Sequence, residues 1–377
     1  MVLDLNIVPI SNWLPNVEKP YLISGPCSAE SESQMLQIAR QISEYFPNNI
    51  FRAGIWKPRT RPNSFEGVGD VGLKWMQRVK EETGMLTATE VANALHVEKC
   101  LKHNIDILWI GARTVVNPFS VQEIADALKG TDIPVFIKNP INPDLQLWIG
   151  ALERINNAGI KKLAAIHRGF HSFEKMPFRN DPKWELVIEL KSLCPQLPIL
   201  CDPSHICGNP ELLPYVAQKA LDLAMDGLMI ESHFNPKIAL SDSKQQITPS
   251  LLFELLSNLS LRDLTSENLE FKNVLNELRQ VIDKIDDDIL NVMSTRMSVA
   301  RQIGSFKKDN QVTILQITRW QEILKNQLKR GKIMGLSQGF IKKLYQLIHN
   351  ESIRIQNEAM NEISENNIKK QTPILGK

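Results

Sequence analysis

Short apolar runs alternate with longer amphipathic stretches along the first 260 residues of the chain. This alternation is typical of strands and helices that build a parallel β-sheet. Eight apolar runs are present, at residues 21–27, 50–56, 85–90, 106–113, 134–139, 162–169, 198–205 and 226–233. Eight strand-helix units in about 250 residues predict a closed (β/α)8 TIM barrel, an α/β fold, rather than an open doubly wound sheet.

Polar side chains stand at or near the carboxyl ends of most of these runs. They are Cys27, Glu90, Arg113, Lys138, Arg168, His205 and Glu231. In a barrel the carboxyl ends of all strands surround one mouth, where active sites are built. An open sheet would not gather the ends of eight strands around one point. The pattern therefore predicts a single polar site at the barrel mouth.

The composition changes after residue 260, where a Lys- and Asn-rich region with little proline begins. Apolar positions spaced three and four residues apart predict one helix over about residues 267–308, followed by helices at about 316–331 and 337–360. The first would be ~60 Å long, too long for a small domain to cover, so we expect it to pack against a second copy. The expected organisation is a barrel at 1–260, a linker at 261–268, an all-α domain at 269–365 and a flexible tail at 366–377.

Composition narrows the class of protein. A length of 377 residues suits about two domains. The 44 basic and 42 acidic residues are too balanced for a protein that mainly binds nucleic acid or anionic membranes, so we expect small-molecule partners. The sequence lacks a run of about 20 apolar residues, and its N-terminal segment does not resemble a signal peptide, so we expect a cytoplasmic protein. Five scattered cysteines without a C-x-x-C pair argue against disulfides and a structural zinc site.

Four residues near the predicted mouth offer one sulfur, one nitrogen and two carboxylate groups: Cys27, His205, Glu231 and Asp242. Taken singly, each fits a buried thiol, a capped histidine or a solvated acid. Together they favour one divalent metal ion. Mixed ligands of this kind suit manganese, iron, cobalt or zinc better than magnesium or calcium, which prefer oxygen ligands alone.

Basic residues form a second group at or just past the predicted strand ends: Arg52, Lys57, Arg59, Arg61, Arg113, Lys138 and Arg168. One such cation would be an ordinary part of a solvated rim. Several cations that converge inside one mouth indicate a ligand with several negative charges, since Arg and Lys bind phosphate and carboxylate groups.

The motifs GPCSAES, KPRT, IGART, IKN, HRGF, DPSH, ESH and ALSD occur in this order within residues 20–245. With them the chain resembles 3-deoxy-D-arabino-heptulosonate 7-phosphate (DAHP) synthase in its short type I beta form. The KPRT motif separates it from the sister enzyme that uses arabinose 5-phosphate, which has an Asn-containing sequence there. A synthase for another aldose phosphate, such as arabinose 5-phosphate, stays open as the alternative.

This resemblance implies a role for each matching residue. It implies a divalent metal ion on Cys27, His205, Glu231 and Asp242. It implies phosphoenolpyruvate on Arg52, Lys57, Arg113, Lys138 and Arg168. It implies the phosphate of erythrose 4-phosphate on Arg59 and Thr60, with Lys57 as the catalytic general acid and Asp202 ordering His205.

The long predicted helix carries three cations of interest. Lys307 follows Arg296 by eleven residues, so the two lie within about 20° of one helix face. Arg279 is ~25 Å away along the axis and could join them only from another chain. Each cation taken alone fits a solvated helix surface, whereas all three as functional residues would require an intertwined dimer.

The segments ELRQVIDKIDDDIL, STRMSVARQIGSFKK and LIHNESIRIQ resemble the all-α chorismate mutase domain over about residues 268–360. The resemblance implies prephenate formation, a homodimer or possibly a tetramer, and chorismate bound by Arg279, Arg296, Lys307, Arg319 and Gln356. Lys307 and Gln356 would be catalytic. Two residues depart from the family pattern: Trp320 stands where an acid is frequent, and Gln316 where Asp is common. A dimerising sensor of prephenate or chorismate that controls the barrel is the alternative, and feedback by either compound is expected through this domain.

Overall fold

The structure of the protein is a computed structural model that describes residues 3–57 and 65–361. The chain divides into two compact units, Met1–Leu264 and Thr265–Lys377. In the first, eight parallel strands pair in chain order, and the last strand pairs with the first to close a barrel. The predicted α/β barrel followed by an all-α region is therefore confirmed.

The eight barrel strands are β1 Tyr21–Gly25, β2 Ile50–Arg52, β3 Leu86–Val91, β4 Ile107–Ile110, β5 Val135–Lys138, β6 Leu163–His167, β7 Ile199–Cys201 and β8 Gly227–Glu231. Most of them are shorter than the apolar runs that predict them, because the last residues of those runs leave the sheet and enter the loops of the mouth.

Apart from the first short helix, which precedes β1, the helices follow strands and cover the outside of the barrel. The first unit contains α1 Ile10–Trp13, α2 Glu32–Tyr45, α3 Val71–Thr83, α4 Ala94–Lys102, α5 Ala112–Val115, α6 Pro118–Leu128, α7 Leu145–Asn157, α8 Trp184–Leu193, α9 Pro203–Cys207, α10 Leu213–Asp222 and α11 Pro249–Ser257. The second unit contains α12 Leu269–Asp309, α13 Ile317–Ile333 and α14 Gln338–Asn361.

Alternation along the strands decides which side chains enter the barrel. Ile50, Phe136, Leu200 and Met229 belong to the buried cluster that fills its interior. Side chains two residues apart on a strand share a face, so the residues that follow these by two also point inward, one layer nearer the mouth. Those residues are Arg52, Lys138, Asp202 and Glu231.

One glycine is required where β1 meets β2. Gly25 has φ +150°, and a Cβ atom there would lie 2.1 Å from the carbonyl oxygen of Arg52. Any side chain would push β2 away from β1. This glycine therefore allows the close strand contact that sets the backbone of Arg52.

In the second unit, the long helix α12 packs on α14 through a close contact. A Cβ atom on Gly304 would lie 2.9 Å from the Cα of Gln356, so a glycine lets the two helix backbones approach. Elsewhere α12 leaves an apolar stripe exposed, and Leu278, Ile282 and Ile289 are each more than half accessible. This exposed stripe matches the face that the sequence predicts to pack against a second copy.

Some predictions fall on residues that the structure does not describe. These are Arg59, Thr60 and Arg61 and the tail at 366–377. Within residues 3–57 and 65–361, no helix has the length and apolar character needed to span a membrane.

Candidate active sites

Two buried cations of the barrel mouth lie over the same aromatic ring. The Arg52 guanidinium lies 4.9 Å and the Lys138 ammonium 5.8 Å from the ring centroid of Trp109. Trp109 is fully buried on β4, and its Nε1 donates a hydrogen bond to Glu90 Oε2 at 3.1 Å. The electron-rich face of this ring stabilises the two cations in a site shielded from water.

The same two cations also contact carboxylates. Lys138 Nζ lies 2.7 Å from Asp202 Oδ2, and Arg52 Nη2 lies 3.3 Å from Glu231 Oε1. Asp202 in addition lies 2.9 Å from His205 Nδ1 and accepts a hydrogen bond from the His205 backbone N–H at 3.0 Å. Burial raises the pKa of Asp202, but His205 and Lys138 outweigh it and hold the pKa well below its usual range.

Arg168 directly follows β6 and is fixed by amide groups. Its Nη1 donates to Asn180 Oδ1 at 2.9 Å, and its backbone N–H donates to Asn139 Oδ1 at 2.7 Å. Burial and the positive charges of Arg179 and Arg113 together lower the pKa of this guanidinium to about 10, although the negative charge of Asp202 acts in the opposite direction. Arg113, in α5 after β4, is thus one of the cations whose charge reaches Arg168.

Lys57 lies beside the predicted metal ligand Cys27. Its ammonium donates to the Cys27 carbonyl oxygen at 2.9 Å and lies 3.1 Å from Cys27 Sγ. The thiol donates to Asp242 Oδ2 at 3.3 Å. Burial and the charge of Glu231 raise the pKa of Cys27 to about 12. Burial lowers the pKa of Lys57, but nearby Cys27 and Glu231 more than compensate and raise it above the usual value.

Glu231 is the second carboxylate of the predicted metal set. His205 Nε2 lies 3.9 Å from its Oε1, and Gln245 Nε2 donates to its Oε2 at 2.7 Å. Burial raises the pKa of Glu231, but His205 and Arg52 outweigh this effect and lower it. The buried Oε1 atom accepts no hydrogen bond, so it keeps a lone pair available for a cation.

The four predicted metal ligands therefore adjoin one another in two pairs, Cys27 with Asp242 and His205 with Glu231. Among the described residues no group of three or more His, Cys, Asp or Glu side chains is assembled in metal-binding geometry. The donor set still fits a borderline divalent ion, since it offers sulfur, imidazole nitrogen and a carboxylate oxygen without a hydrogen bond.

Sequence reasoning missed three residues of this mouth. Trp109 could have been found by its position two residues after the inward-facing Ile107. Gln245 and Arg179 lie in loops, where no periodicity applies, and they contact Glu231 and Asp242.

In the helical unit, α12 and α14 bring two of the predicted cations to polar partners. Arg296 Nη1 donates to Ser352 Oγ at 2.5 Å, and Lys307 Nζ donates to Gln356 Oε1 at 3.0 Å. Lys307 also donates to the Ile314 carbonyl oxygen. Burial lowers the pKa of Lys307. Arg296, Lys307 and Gln356 thus lie along one side of the α12–α14 pair.

The other two predicted cations are placed differently. Arg319 is exposed on α13, where its Nη1 lies 3.2 Å from Glu322 Oε2. Arg279 is exposed on α12, 17 residues before Arg296 and so ~25 Å from it along the axis. Within the described part of one chain, Arg279 is not brought to the other members of the predicted set.

Trp320, one of the two departures from the family pattern, stacks on His349. The ring centroids are 4.1 Å apart and the planes differ by 14°. Burial and the positive charges of Arg296 and Lys307 lower the pKa of His349. The stacked pair of Trp320 and His349 therefore lies near these two cations. A cavity of about 550 Å³ is lined by Trp320 and His349 together with Lys343.

Comparisons with known proteins agree with this division of the chain. The family model described as DAHP synthetase I family matches residues 16–265, and that of chorismate mutase type II matches residues 278–357. A phospho-2-dehydro-3-deoxyheptonate aldolase of Thermotoga maritima is 32% identical over 68% of this chain and 72% of its own length. A 2-dehydro-3-deoxyphosphooctonate aldolase of Helicobacter pylori is 28% identical over 64% of this chain and 94% of its own length.

A crystal structure of the Thermotoga maritima DAHP synthase is similar in fold. It has a TM-score of 0.58 and 29% sequence identity, and the match covers 74% of each chain. A truncated form of the Thermotoga maritima 3-deoxy-D-arabino-heptulosonate 7-phosphate synthase has a TM-score of 0.55 and 26% identity, and covers 74% of this chain and 93% of its own. The chain thus belongs to the DAHP synthetase I family and carries a chorismate mutase type II domain after the barrel in its sequence, the families of a transferase and an isomerase.

Proposed function

We propose that the barrel condenses phosphoenolpyruvate with erythrose 4-phosphate to DAHP and inorganic phosphate. The observation that carries this proposal is the cluster of buried cations, Arg52, Lys138 and Arg168, beside Lys57 at one barrel mouth. Buried cations are costly unless anions compensate them. Asp202 and Glu231 face Lys138 and Arg52, whereas Arg168 is held by neutral amide groups and leaves its positive charge for an anionic ligand. Phosphoenolpyruvate offers a phosphate and a carboxylate, which suit forked guanidinium groups and ammonium groups.

In the proposed reaction, C3 of phosphoenolpyruvate attacks the aldehyde carbon and a C–C bond forms. Lys57 donates a proton to the aldehyde oxygen as it becomes a hydroxyl group. Water adds to C2, and phosphate leaves with its bridging oxygen by C–O cleavage. Arg168 and Arg113 stabilise the negative charge on the departing phosphate. Arg59 and Thr60, which lie outside the described residues, would hold the phosphate of erythrose 4-phosphate.

One divalent ion, of manganese, iron, cobalt or zinc, would be held by Cys27, His205, Glu231 and Asp242. When bound, such an ion supplies Lewis-acid polarisation of a carbonyl oxygen. Asp202 orients His205 through Nδ1, which leaves Nε2 facing Glu231.

The experiment that tests the synthase proposal is release of phosphate from phosphoenolpyruvate by the full chain with added Mn²⁺. Release that requires erythrose 4-phosphate is expected for the wild type and abolished in Cys27→Ser. The matched control is Cys100→Ser, a buried cysteine on α4 outside the site. Release that persists in Cys27→Ser would contradict the metal assignment, and release without an aldose phosphate would contradict the condensation.

A synthase for another aldose phosphate, such as arabinose 5-phosphate, is the second candidate for the barrel. The similarity to 2-dehydro-3-deoxyphosphooctonate aldolases favours it, at 28% identity over nearly the whole length of the Helicobacter pylori protein. The KPRT sequence at residues 57–60 favours erythrose 4-phosphate instead.

For the helical unit we propose rearrangement of chorismate to prephenate. This reaction is intramolecular and needs no nucleophile, only cations that hold the dicarboxylate in its folded conformation. Arg296 and Arg319 would bind its carboxylates, and Lys307 with Gln356 would hydrogen-bond the ether oxygen as its bond to carbon breaks. Arg279 would come from a second chain.

A homodimer follows from the exposed apolar stripe on α12 and from the position of Arg279, and a tetramer is the alternative. We also propose that prephenate or chorismate regulates the barrel through the helical unit, in a cytoplasmic protein whose partners are small molecules. Truncation after about residue 260 is the test: synthase activity that keeps its sensitivity to prephenate without the helical unit would contradict this regulation.

A non-catalytic sensor is the second candidate for the helical unit. The Trp320–His349 stack favours it, because Trp320 occupies the place of an acid that is frequent in the family. A sensor would bind chorismate or prephenate without converting either, while synthase activity would still respond.

A further inference from the structure

We propose that Arg179 and Gln245 are positioning residues that hold the carboxylates of Glu231 and Asp242 where a divalent ion needs them. The inference rests on the proposed metal-dependent synthase, and it concerns two residues that none of the sequence motifs singled out. Neither residue would touch the ion or the substrates. They would act through the two carboxylates.

Gln245 connects the two pairs of predicted ligands. Its Nε2 donates to Glu231 Oε2 at 2.7 Å, and its Oε1 accepts from Arg179 Nη1 at 2.6 Å. The same Nη1 lies 3.1 Å from Asp242 Oδ1. Gln245 is 1% exposed, so both ends of its amide are used inside the protein. A continuous chain of contacts therefore runs from Glu231 through Gln245 and Arg179 to Asp242.

This chain leaves the opposite oxygen of each carboxylate directed at the other ligands. Glu231 uses Oε2 for Gln245, and its Oε1 lies 3.9 Å from His205 Nε2 and 3.3 Å from Arg52 Nη2. Asp242 uses Oδ1 for Arg179, and its Oδ2 accepts from Cys27 Sγ at 3.3 Å. The oxygens that remain on the ligand side are thus the ones that could bind a metal ion together with sulfur and imidazole.

The backbone of Asp242 shows why such support is needed. Asp242 has φ +44°, in the left-handed region that few residues other than glycine adopt. A residue held in this region costs about 1–3 kcal/mol and persists only when surrounding contacts fix it. The ion pair with Arg179 and the contact with Cys27 are two such contacts.

Arg179 reaches Asp242 from a different loop, between β6 and α8. Its backbone N–H donates to the Cys207 carbonyl oxygen at 3.2 Å. A Cβ atom on the adjacent Gly208, which has φ +70°, would lie 2.5 Å from the Cβ of Arg179. A glycine at position 208 therefore makes room for Arg179, and the loops after β6, β7 and β8 meet at this residue.

The test is titration of the metal-free full chain with Co²⁺, followed by the absorption band of a thiolate bound to cobalt. Substitution of a residue that hydrogen-bonds to a metal ligand typically lowers the affinity for the metal about 10–100-fold. We expect a loss of that size in Arg179→Met and in Gln245→Met, which keeps the shape of the glutamine. Arg179→Lys keeps a cationic donor and should recover most of the affinity. The control is Lys175→Met, an exposed residue of the same loop, with wild-type affinity expected.

Thermal unfolding of the metal-free variants separates positioning from simple loss of structure. Weaker binding with an unchanged melting temperature supports the proposal, whereas a lower melting temperature with unchanged Co²⁺ affinity overturns it. If Arg179→Met does not fold, Gln245→Met decides by the same two readouts. A wild-type chain that gives no thiolate band would instead overturn the proposed metal site itself.

Discussion

The ammonium of Lys57 lies 3.1 Å from the sulfur of Cys27, and the same ammonium donates to the carbonyl oxygen of Cys27 at 2.9 Å. This contact places the proposed proton donor directly beside a proposed ligand of the metal ion. A substrate oxygen bound beside Cys27 would lie within reach of this ammonium.

Replacement of Lys57 by alanine should therefore lower the synthase kcat by about 10²–10⁴-fold, the usual contribution of a positioned proton donor. Formation of DAHP from saturating substrates measures it. Prephenate formation by the same samples should not change, and Lys74→Ala, an exposed lysine of α3, should retain wild-type synthase activity. A fall in kcat of less than tenfold would remove Lys57 from the role of general acid.

The buried pair of Lys138 and Asp202 makes a prediction about stability. Both side chains are at most 5% exposed, and their atoms are 2.7 Å apart. Lys138→Met should lower the free energy of unfolding by about 3–5 kcal/mol, because Asp202 loses a buried partner. Denaturant unfolding followed by tryptophan fluorescence measures this loss.

The matched control for that measurement is the pair of Lys19 and Asp226, whose atoms are 3.0 Å apart with Lys19 64% exposed. Lys19→Met should cost at most about 1 kcal/mol, as is usual for a surface pair. Equal losses in the free energy of unfolding for Lys138→Met and Lys19→Met would contradict this prediction, because the buried pair would then stabilise the fold no more than the surface pair.

Substitution of Arg296 tests the proposed mutase activity of the helical unit. Arg296 donates to Ser352 Oγ on the side of α12 that also holds Lys307, so Arg296→Ala should lower kcat/KM for chorismate by at least about 10²-fold while DAHP formation continues. Arg301→Ala removes an exposed arginine five residues later on α12 and should keep mutase activity. Absence of prephenate even in the wild type, combined with a synthase rate that responds to chorismate, would favour the sensor.

Burial lowers the pKa of Lys307 below its usual value, which predicts a pH dependence. In the proposed rearrangement only the protonated form of Lys307 would bind the ether oxygen, and this form is lost as the pH rises through the lowered pKa. The value of kcat/KM for chorismate should therefore fall on the alkaline side at a pH below 10.5, the ordinary value for lysine. In Lys307→Arg this fall should move to higher pH, whatever the remaining activity. An alkaline limb at the same pH in both proteins would assign it to another group.

The barrel could be predicted from the sequence because its strands repeat one simple pattern. Each apolar run can be distinguished from the amphipathic helix that follows it. The period of two along a strand then places Arg52, Lys138 and Glu231 in one mouth. Polar residues at strand ends can be assigned to this mouth without knowledge of any distance, because closure of the barrel brings all the strand ends together.

The contacts between these residues could not be predicted in the same way. Lys138 on β5 and Asp202 after β7 meet across the barrel interior, past the intervening β6. Such a contact depends on barrel radius and side-chain length, which no spacing along the chain reports. Gln245 and Arg179 were missed for a related reason, since loop residues carry no periodic signal and their importance arises only from the carboxylates they contact.

The proposed synthase reaction is best tested by product formation from phosphoenolpyruvate by the metal-loaded full chain with either erythrose 4-phosphate or arabinose 5-phosphate. We expect a sugar acid phosphate of seven carbons from erythrose 4-phosphate, with a kcat/KM at least about 100-fold higher than for the five-carbon aldose, a difference of about 2.7 kcal/mol. Preference for arabinose 5-phosphate, or no condensation with either aldose, would contradict it.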